Sequence, residues 1–393
     1  MKSKCPICNE NAIESLLNNS VPILQNKVYK SESEAKKSGL GIVNLTHCQN
    51  CNFTFNGDFD DSIIVYDETY DNSVPSKLFI EYYKTICHYL YKKYDLENGV
   101  VYDIGCGKGT FLNMLCELYP SIKGIGIDPS YEGDLNPKSN LTFFKEFFDA
   151  KHVTSKPNLI LSRHVFEHIE FPRKFLDAIR EPIKEFDNVP VFIEVPDFEW
   201  IVENQTFWDI CYEHCNYFSE KSIQEMFTNS WSILTRITKS FGEQYLWVEG
   251  LFNPRGLGIL DQKFLEVDKS KIMNFITSIQ SSQERILQFI KEYKNEKYKI
   301  IVWGMATKGV IFTNNIDSNK LYIDYCVDIN KEKQHKYSPV TAHYINSPEV
   351  LNSLSVYKCL VIVMNTNYIK EIINEVSQHE ISAEFIDAHG NLL

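Results

Sequence analysis

The chain has 393 residues, enough for two or three domains, and its 44% hydrophobic and 23% charged residues are the balance of a soluble globular protein. A net charge of −12 argues against a nucleic-acid-binding surface, which needs clustered Lys and Arg. No apolar run is long enough to span a bilayer, and "MKSKCPICNEN" lacks the apolar core of a signal peptide, so the expectation is a cytoplasmic protein with no membrane partner.

Residues 1–65 carry four of the eleven cysteines as two C-x-x-C pairs, Cys5 with Cys8 and Cys48 with Cys51. "CPICN" and "HCQNCNFTF" read as two knuckles, each presenting two thiolates at a turn. In a reducing compartment this pattern points to metal rather than to disulfides. Four thiolates complete a closed tetrahedral zinc shell with no position left for water, so a zinc ion here would be structural. His47 adjoins Cys48 but is not needed as a ligand. The other seven cysteines are scattered singly, several in apolar runs where a cysteine acts as a small hydrophobe.

Residues 66–264 turn to alternating strands and helices. "GVVYDIGCGKGTFLNMLCELYP" begins with a buried strand ending at Asp103, passes Gly105, Gly107 and Gly109, and opens a helix with Phe111, Leu112 and Leu115 on one face. "KGIGIDPS" is a second short strand ending in Asp128, and "NLILSRHVF" and "VPVFIEVPD" are two more. This alternation predicts an α/β fold with a doubly wound, mostly parallel sheet and ligands at the carboxyl ends of its strands. Glycines at 105 and 107 admit a ligand against bare backbone. The spacing is not the G-x-G-x-x-G of a dinucleotide site, and a carboxylate at 103 would repel pyrophosphate while suiting an ammonium group. S-adenosylmethionine (SAM) is therefore the expected ligand, with Asp128 placed for its ribose hydroxyls.

"FWDICYEHCNYFSEK", residues 207–221, has neither the alternation of a strand nor the period of a helix. It reads as a loop entering a helix at Ser219, with Ile223 and Met226 on the apolar face. Tyr212, Glu213 and His214 at its centre are a dense set of titratable groups for a loop. Residues 265–297 follow as a helix with Ile272, Phe275, Ile276, Ile279, Ile286, Ile290 and Tyr293 in one stripe. "YKIIVWGMATKGVIF", "LYIDYCVDIN" and "KCLVIVMNTN" then supply the strands and glycine turn of a second, smaller Rossmann-like unit over 265–393.

"VVYDIGCGKGTFL" with "GIGIDPS" resembles the class I SAM-dependent methyltransferases. Over nearly the full length, the combination of Cys5, Cys8, Cys48 and Cys51, the glycine loop, "SRHVFEHI", "WGMATKG" and "INSPEVL" resembles the C-methyltransferases that act on nucleotide-linked keto-deoxysugars. The resemblance implies an N-terminal zinc module, a class I (Rossmann-like) methyltransferase core and a C-terminal Rossmann-like domain. It implies SAM as methyl donor, a structural zinc, and Asp103, Gly105, Gly107 and Asp128 as cofactor-binding residues. Glu213, His214, Tyr217, Phe218 and Ser219 match the family's Glu-His pair and following "xxYFS", which makes His214 the general base and Glu213 its partner. The family has a tyrosine two residues before the glutamate, whereas this chain has Cys211 there and Tyr212 next to it.

The chemistry has its own logic. Methylating carbon needs a carbanion, a C–H beside a ketone supplies one, and a histidine can take that proton near neutral pH. Tyr212 and His168 are the candidates for a hydrogen bond to the ketone oxygen, and the family resemblance implies a further phenol near the site, from Tyr70 or Tyr66. The competing role for His214 and His168 is structural, satisfied by neighbours. Lys308, at a helix N-terminus, would meet a nucleotide diphosphate or lie in solvent. An O- or N-methyltransferase on a sugar nucleotide or other small metabolite is the alternative activity. A third reading, a zinc interaction knuckle on a core that binds SAM for structure, is opposed in its RNA-binding form by the acidic charge.

Overall fold

Three β-sheets organise the described residues, and a computed structural model defines them over 2–65, 67, 69–71, 76–228, 231–255 and 268–393. Tyr66 and the expected boundary at 264/265 lie outside the described residues.

The N-terminal sheet has the order β1 (Ile13–Pro22), β2 (Leu40–Cys48), β3 (Thr54–Asn56) and β9 (Asn216–Tyr217), all antiparallel. Its last strand comes from far along the chain, with Thr54 opposite Tyr217 and Phe55 opposite Asn216. Asn216 Nδ2 also donates to the carbonyls of Phe166 (2.8 Å) and Ile169 (2.6 Å). The loop over 207–215 is thereby fastened at its exit to the N-terminal sheet and to the segment that leaves the central sheet.

The central sheet has the order β10 (Ser232–Ser240), β11 (Tyr245–Phe252), β8 (Val189–Pro196), β7 (Leu159–Arg163), β4 (Val100–Ile104), β5 (Lys123–Ile127) and β6 (Leu141–Phe144). The five strands from β8 to β6 are parallel; β11 runs antiparallel to β8, and β10 to β11. Strands β4, β7 and β8 are buried almost throughout, as parallel strands covered on both faces must be. The chain runs outward from β4 to β6 and then restarts on the other side of β4 at β7. That reversal opens a crevice at the carboxyl end of β4, directly above Asp103. The α/β class I architecture expected from the glycine loop is the one present, with the edge hairpin β10–β11 as an addition that the sequence did not signal.

The helix Lys269–Asn295 buries Ile272, Phe275, Ile286 and Ile290, each contributing roughly 1.5–3 kcal/mol of apolar burial. It leads into a sheet of order β14 (Lys336–Tyr337), β15 (Tyr344–Asn346), β13 (Tyr325–Val327), β12 (Lys299–Trp303), β16 (Lys358–Val363) and β17 (Ser382–Asp387), parallel except for the β14–β15 pair. No helix among the described residues is long and apolar enough to cross a membrane.

Candidate active site

Gly105, Gly107 and Gly109 all have positive φ, at 77°, 55° and 72°. Gly105 and Gly109 are also needed by packing, because a Cβ there would stand 2.4 Å from Val165 and 2.5 Å from Phe143. At Gly107 a Cβ would meet nothing within 4 Å, so the bare backbone of this residue faces open space. Its N–H donates to Asp128 Oδ2 (2.8 Å), while Asp128 Oδ1 accepts from the N–H and hydroxyl of Ser130 (2.7 and 2.6 Å). Asp103 is buried beneath the loop. Burial pushes its carboxyl up to about 7, against the lowering effect of Arg163 and with a smaller rise from Asp128. A buried carboxylate, an open glycine cradle and a second carboxylate at the end of the next strand fit SAM, whose ammonium and ribose hydroxyls are cationic and donor groups respectively.

Beside this loop, β7 and β8 end in a buried ion pair. Arg163 Nη2 lies 2.6 Å and its Nε 2.8 Å from Glu194 Oε2. The guanidinium stacks over Phe111 and Tyr83, with 4.1 and 4.5 Å from Cζ to the ring centroids. Tyr82 donates to Glu194 Oε1, as does Trp247 Nε1 at 3.1 Å. His164 follows at φ 53°, in the left-handed region. Its Nε2 is 3.4 Å from Glu194 Oε2 and its Nδ1 3.4 Å from Glu167 Oε1. Burial opposes the charge on this ring, but the two carboxylates dominate and push it up to about 9, so His164 is a cation bridging two buried glutamates.

His168 and His214 meet on the far side of Glu167, with ring centroids 4.9 Å apart in an edge-to-face arrangement. His168 Nδ1 lies 2.8 Å from the backbone oxygen of Glu213. A carbonyl only accepts, so the proton of a neutral His168 sits on Nδ1 and its Nε2 carries the lone pair. Burial pushes His214 down to about 3, helped by the neighbouring His168 and opposed by Glu167. His214 is accordingly neutral, with a lone pair available. Glu213 is buried, which raises its carboxyl, and His168, the Gln25 N–H (2.9 Å to Oε2), the Tyr70 hydroxyl and Lys333 all pull it back. Gln25 comes from the connection that follows β1 of the N-terminal sheet and Lys333 from the C-terminal unit, so Glu213 sits where all three parts of the chain converge.

Tyr212 is placed elsewhere, which corrects the expectation that its phenol faces the acceptor. Its hydroxyl donates to the Asp60 carbonyl (3.1 Å) and accepts from the Asp60 N–H (3.0 Å), and its ring packs on Phe59 and over Gly41. One step along an irregular loop turns the side chain to the opposite side from Glu213. Cys211 is buried with its backbone clasped by Tyr217, whose hydroxyl accepts from the Cys211 N–H (3.2 Å) and donates to its carbonyl (3.1 Å). Lys308 is neither free nor solvated: it pairs with Asp209 and lies over the Trp200 ring.

At the N-terminus Cys5, Cys8, Cys48 and Cys51 converge, their sulfurs all within 4.8 Å of one another. The Sγ–Sγ distances Cys5–Cys51 and Cys8–Cys48 are both 3.5 Å. Zinc–thiolate bonds of about 2.3 Å put tetrahedral sulfurs about 3.8 Å apart, so the cluster fits such an ion. His47 is turned away, with Nδ1 3.0 Å from the Thr54 hydroxyl.

Arg163, Glu194, His164 and Glu167 belong to this site and were not among the residues expected from sequence. The stretch "SRHVFEHI" contains three of them. Its signal was a strand ending in Ser162 and Arg163, with His164 just beyond, at the carboxyl edge of a parallel sheet.

Residues 77–230 match the model of a family described as a methyltransferase domain, and residues 263–387 that of a C-methyltransferase C-terminal domain. Among solved structures, the chain is similar to magnesium protoporphyrin IX methyltransferase from Synechocystis PCC 6803 with bound SAH (S-adenosylhomocysteine). The identity is 13%, over 46% of this chain and 90% of that one, with a TM-score of 0.34. It is also similar to N,N-8-amino-8-demethyl-D-riboflavin dimethyltransferase from Streptomyces davawensis, at 14% identity over 44% of this chain and 56% of that one, with a TM-score of 0.36. A curated Borreliella burgdorferi protein, provisionally named an ankyrin repeat protein, is 27% identical over 123 residues, 25% of this chain and 56% of its own length. The chain thus spans about half the length of that curated relative.

Proposed function

We propose that this SAM-dependent methyltransferase, which ends in a C-methyltransferase C-terminal domain, methylates the carbon beside the ketone of a nucleotide-linked 4-keto-deoxysugar, with His214 as general base. The observation that carries the reading is the half-buried imidazole of His214, edge-to-face with His168 at 4.9 Å and with Glu167 and the buried Glu213 beside it. Carbon acceptors need a base before they can attack; the C-terminal domain match supports carbon for the same reason.

Bound SAM supplies an electrophilic methyl on a sulfonium, which needs in-line placement and little else. Asp103 holds the ammonium, Gly105 and Gly107 let the methionine portion approach the backbone, and Asp128 takes the ribose hydroxyls. His214 removes the proton next to the ketone, and the electron pair of that C–H bond becomes the enolate. Taking that proton makes His214 a cation, which the Glu167 carboxylate stabilises. The enolate carbon forms the new bond to methyl as the sulfur leaves with its electrons. With Tyr212 committed to Asp60, His168 is the remaining candidate to hydrogen-bond the ketone oxygen. That role requires its imidazolium form, since Nδ1 already donates to Glu213. The C-terminal unit places the Lys333 charge near Glu213 and helps hold the nucleotide. Cys5, Cys8, Cys48 and Cys51 hold a structural zinc, and the protein works in the cytoplasm.

The test is turnover of labelled SAM against a panel of nucleotide-linked 4-keto sugars in deuterated buffer, with mass and NMR locating the methyl. A methyl on carbon, with solvent deuterium entering that carbon when SAM is withheld, is expected, and both signals should vanish in His214→Ala. A methyl on oxygen or nitrogen with near-normal turnover in His214→Ala would instead establish an O- or N-methyltransferase.

A further inference from the structure

Glu167, His168 and His214 offer one carboxylate oxygen and two ring nitrogens, all within 4.8 Å of one another. Four features make this more than a chance cluster. Glu167 is 1% exposed, yet its Oε2 makes no hydrogen bond to any described residue. His168 is oriented by donating Nδ1 to the Glu213 carbonyl, the outer contact by which proteins aim an imidazole lone pair at a metal. Glu167 is itself held by His164, the corresponding outer contact for a ligating carboxylate. No described residue hydrogen-bonds the His214 ring, which stands edge-to-face against His168 with centroids 4.9 Å apart.

We infer that Glu167, His168 and His214 form a second cation site, open to the acceptor crevice, that binds a divalent transition ion of the zinc–cobalt class and blocks catalysis when filled. Two imidazoles and one carboxylate suit a borderline ion better than calcium or magnesium, which take oxygen shells. Three protein ligands leave a fourth position for water, unlike the closed four-cysteine cluster. The inhibitory half rests on the proposed role of His214, because the lone pair that takes the proton is the one the ion would occupy. The binding half does not.

The test is a Co2+ titration of the full-length protein with its four-cysteine cluster already loaded with zinc, read by visible absorption. One equivalent should give d–d bands of a nitrogen–oxygen site without intense near-ultraviolet thiolate-to-cobalt charge transfer. His168→Gln and Glu167→Gln should each weaken this binding by about 100-fold or more, and the outer-contact variant His164→Gln by about 10- to 100-fold. Retained SAM binding by calorimetry certifies that each variant is folded. No bands beyond those of hydrated cobalt, or bands only with thiolate charge transfer, would overturn the site. In the wild type the bound ion should slow deuterium entry into the acceptor by about 100-fold, the scale of a general base, and a chelator should restore it. Unchanged exchange with the d–d bands present would overturn the inhibitory half. If His214→Ala keeps full carbon methylation, the base assignment fails, while the wild-type cobalt spectrum still decides the site.

Discussion

Arg163 and Glu194 face each other in register across the parallel strands β7 and β8, with Nη2 and Oε2 2.6 Å apart and both side chains buried. The pair joins two halves of the crevice: Arg163 favours the charged form of Asp103 under the glycine loop, and Glu194 holds His164, which in turn holds Glu167. Removing one partner leaves an uncompensated charge inside the protein, which costs far more than a surface pair is worth. Glu194→Gln should therefore destabilise the fold by about 3–5 kcal/mol, read from urea melts at pH 7. Burial alone would raise the Glu194 carboxyl, but Arg163 and His164 hold it well below its ordinary value. The folded-state pKa is thus the lower one. Its stabilisation is present above the unfolded value near 4.3 and is lost as the pH falls below that value. The wild type should lose stability over that acid range more steeply than Glu194→Gln.

Asp103 shows the opposite sign. Its carboxyl is raised to about 7, and only the ionised form pairs with an ammonium group. Above pH 7 the carboxylate is ready, and below it SAM binding must first expel a proton, which costs about tenfold in affinity per pH unit. Calorimetry should find SAM binding weakening by about fivefold between pH 7 and pH 6, and by about tenfold for the next unit down. Asp103→Asn should weaken binding at pH 8 by roughly 10- to 100-fold and abolish that acid dependence. A pH-independent affinity in the wild type would remove Asp103 from the ammonium site.

The glycine loop and the ion pair also mark what a sequence can and cannot disclose. Asp103, Gly105 and Gly107 were legible because a strand-to-helix turn at positive φ leaves local marks: the carboxylate, the glycines and the strand lie within a few residues of one another. Cys5, Cys8, Cys48 and Cys51 were legible because soft ligands in pairs have few other uses. The Arg163–Glu194 pair was not legible, since it exists only through the register of two strands 31 residues apart. His164 was hidden in part for the same reason, since one of its two partners, Glu194, lies on β8. Tyr212 was misplaced because a loop without period carries no rule for which side a residue faces, unlike a strand or a helix.

That misplacement has a direct consequence. Both hydrogen bonds of the Tyr212 hydroxyl go to the Asp60 backbone, so Tyr212→Phe should leave carbon methylation within about twofold of wild type. It should cost about 1–2 kcal/mol of stability from the two lost bonds. Loss of activity comparable to His214→Ala, in a variant that melts normally, would put the phenol back in the active site.

The four-cysteine cluster is coupled to the active site by chain connectivity rather than by contact. Cys48 ends β2, and β3 follows Cys51 closely and pairs with β9, whose first residue Asn216 lies two positions beyond His214. Metal analysis should find at least one zinc per chain, and replacing Cys48 with Ser should lower both zinc content and melting temperature, the latter by roughly 10 °C. The connection between β1 and β2 also supplies the Gln25 N–H to Glu213, so loosening the sheet that anchors it should disturb the acceptor side first. SAM binding depends on β4 and β5 of the central sheet and should fall by less than methyl transfer does. His47→Ala should leave zinc content unchanged, because that ring is bonded to Thr54. Equal loss of SAM binding and of transfer in Cys48→Ser would mean that the cluster supports the whole fold and not the acceptor loop in particular.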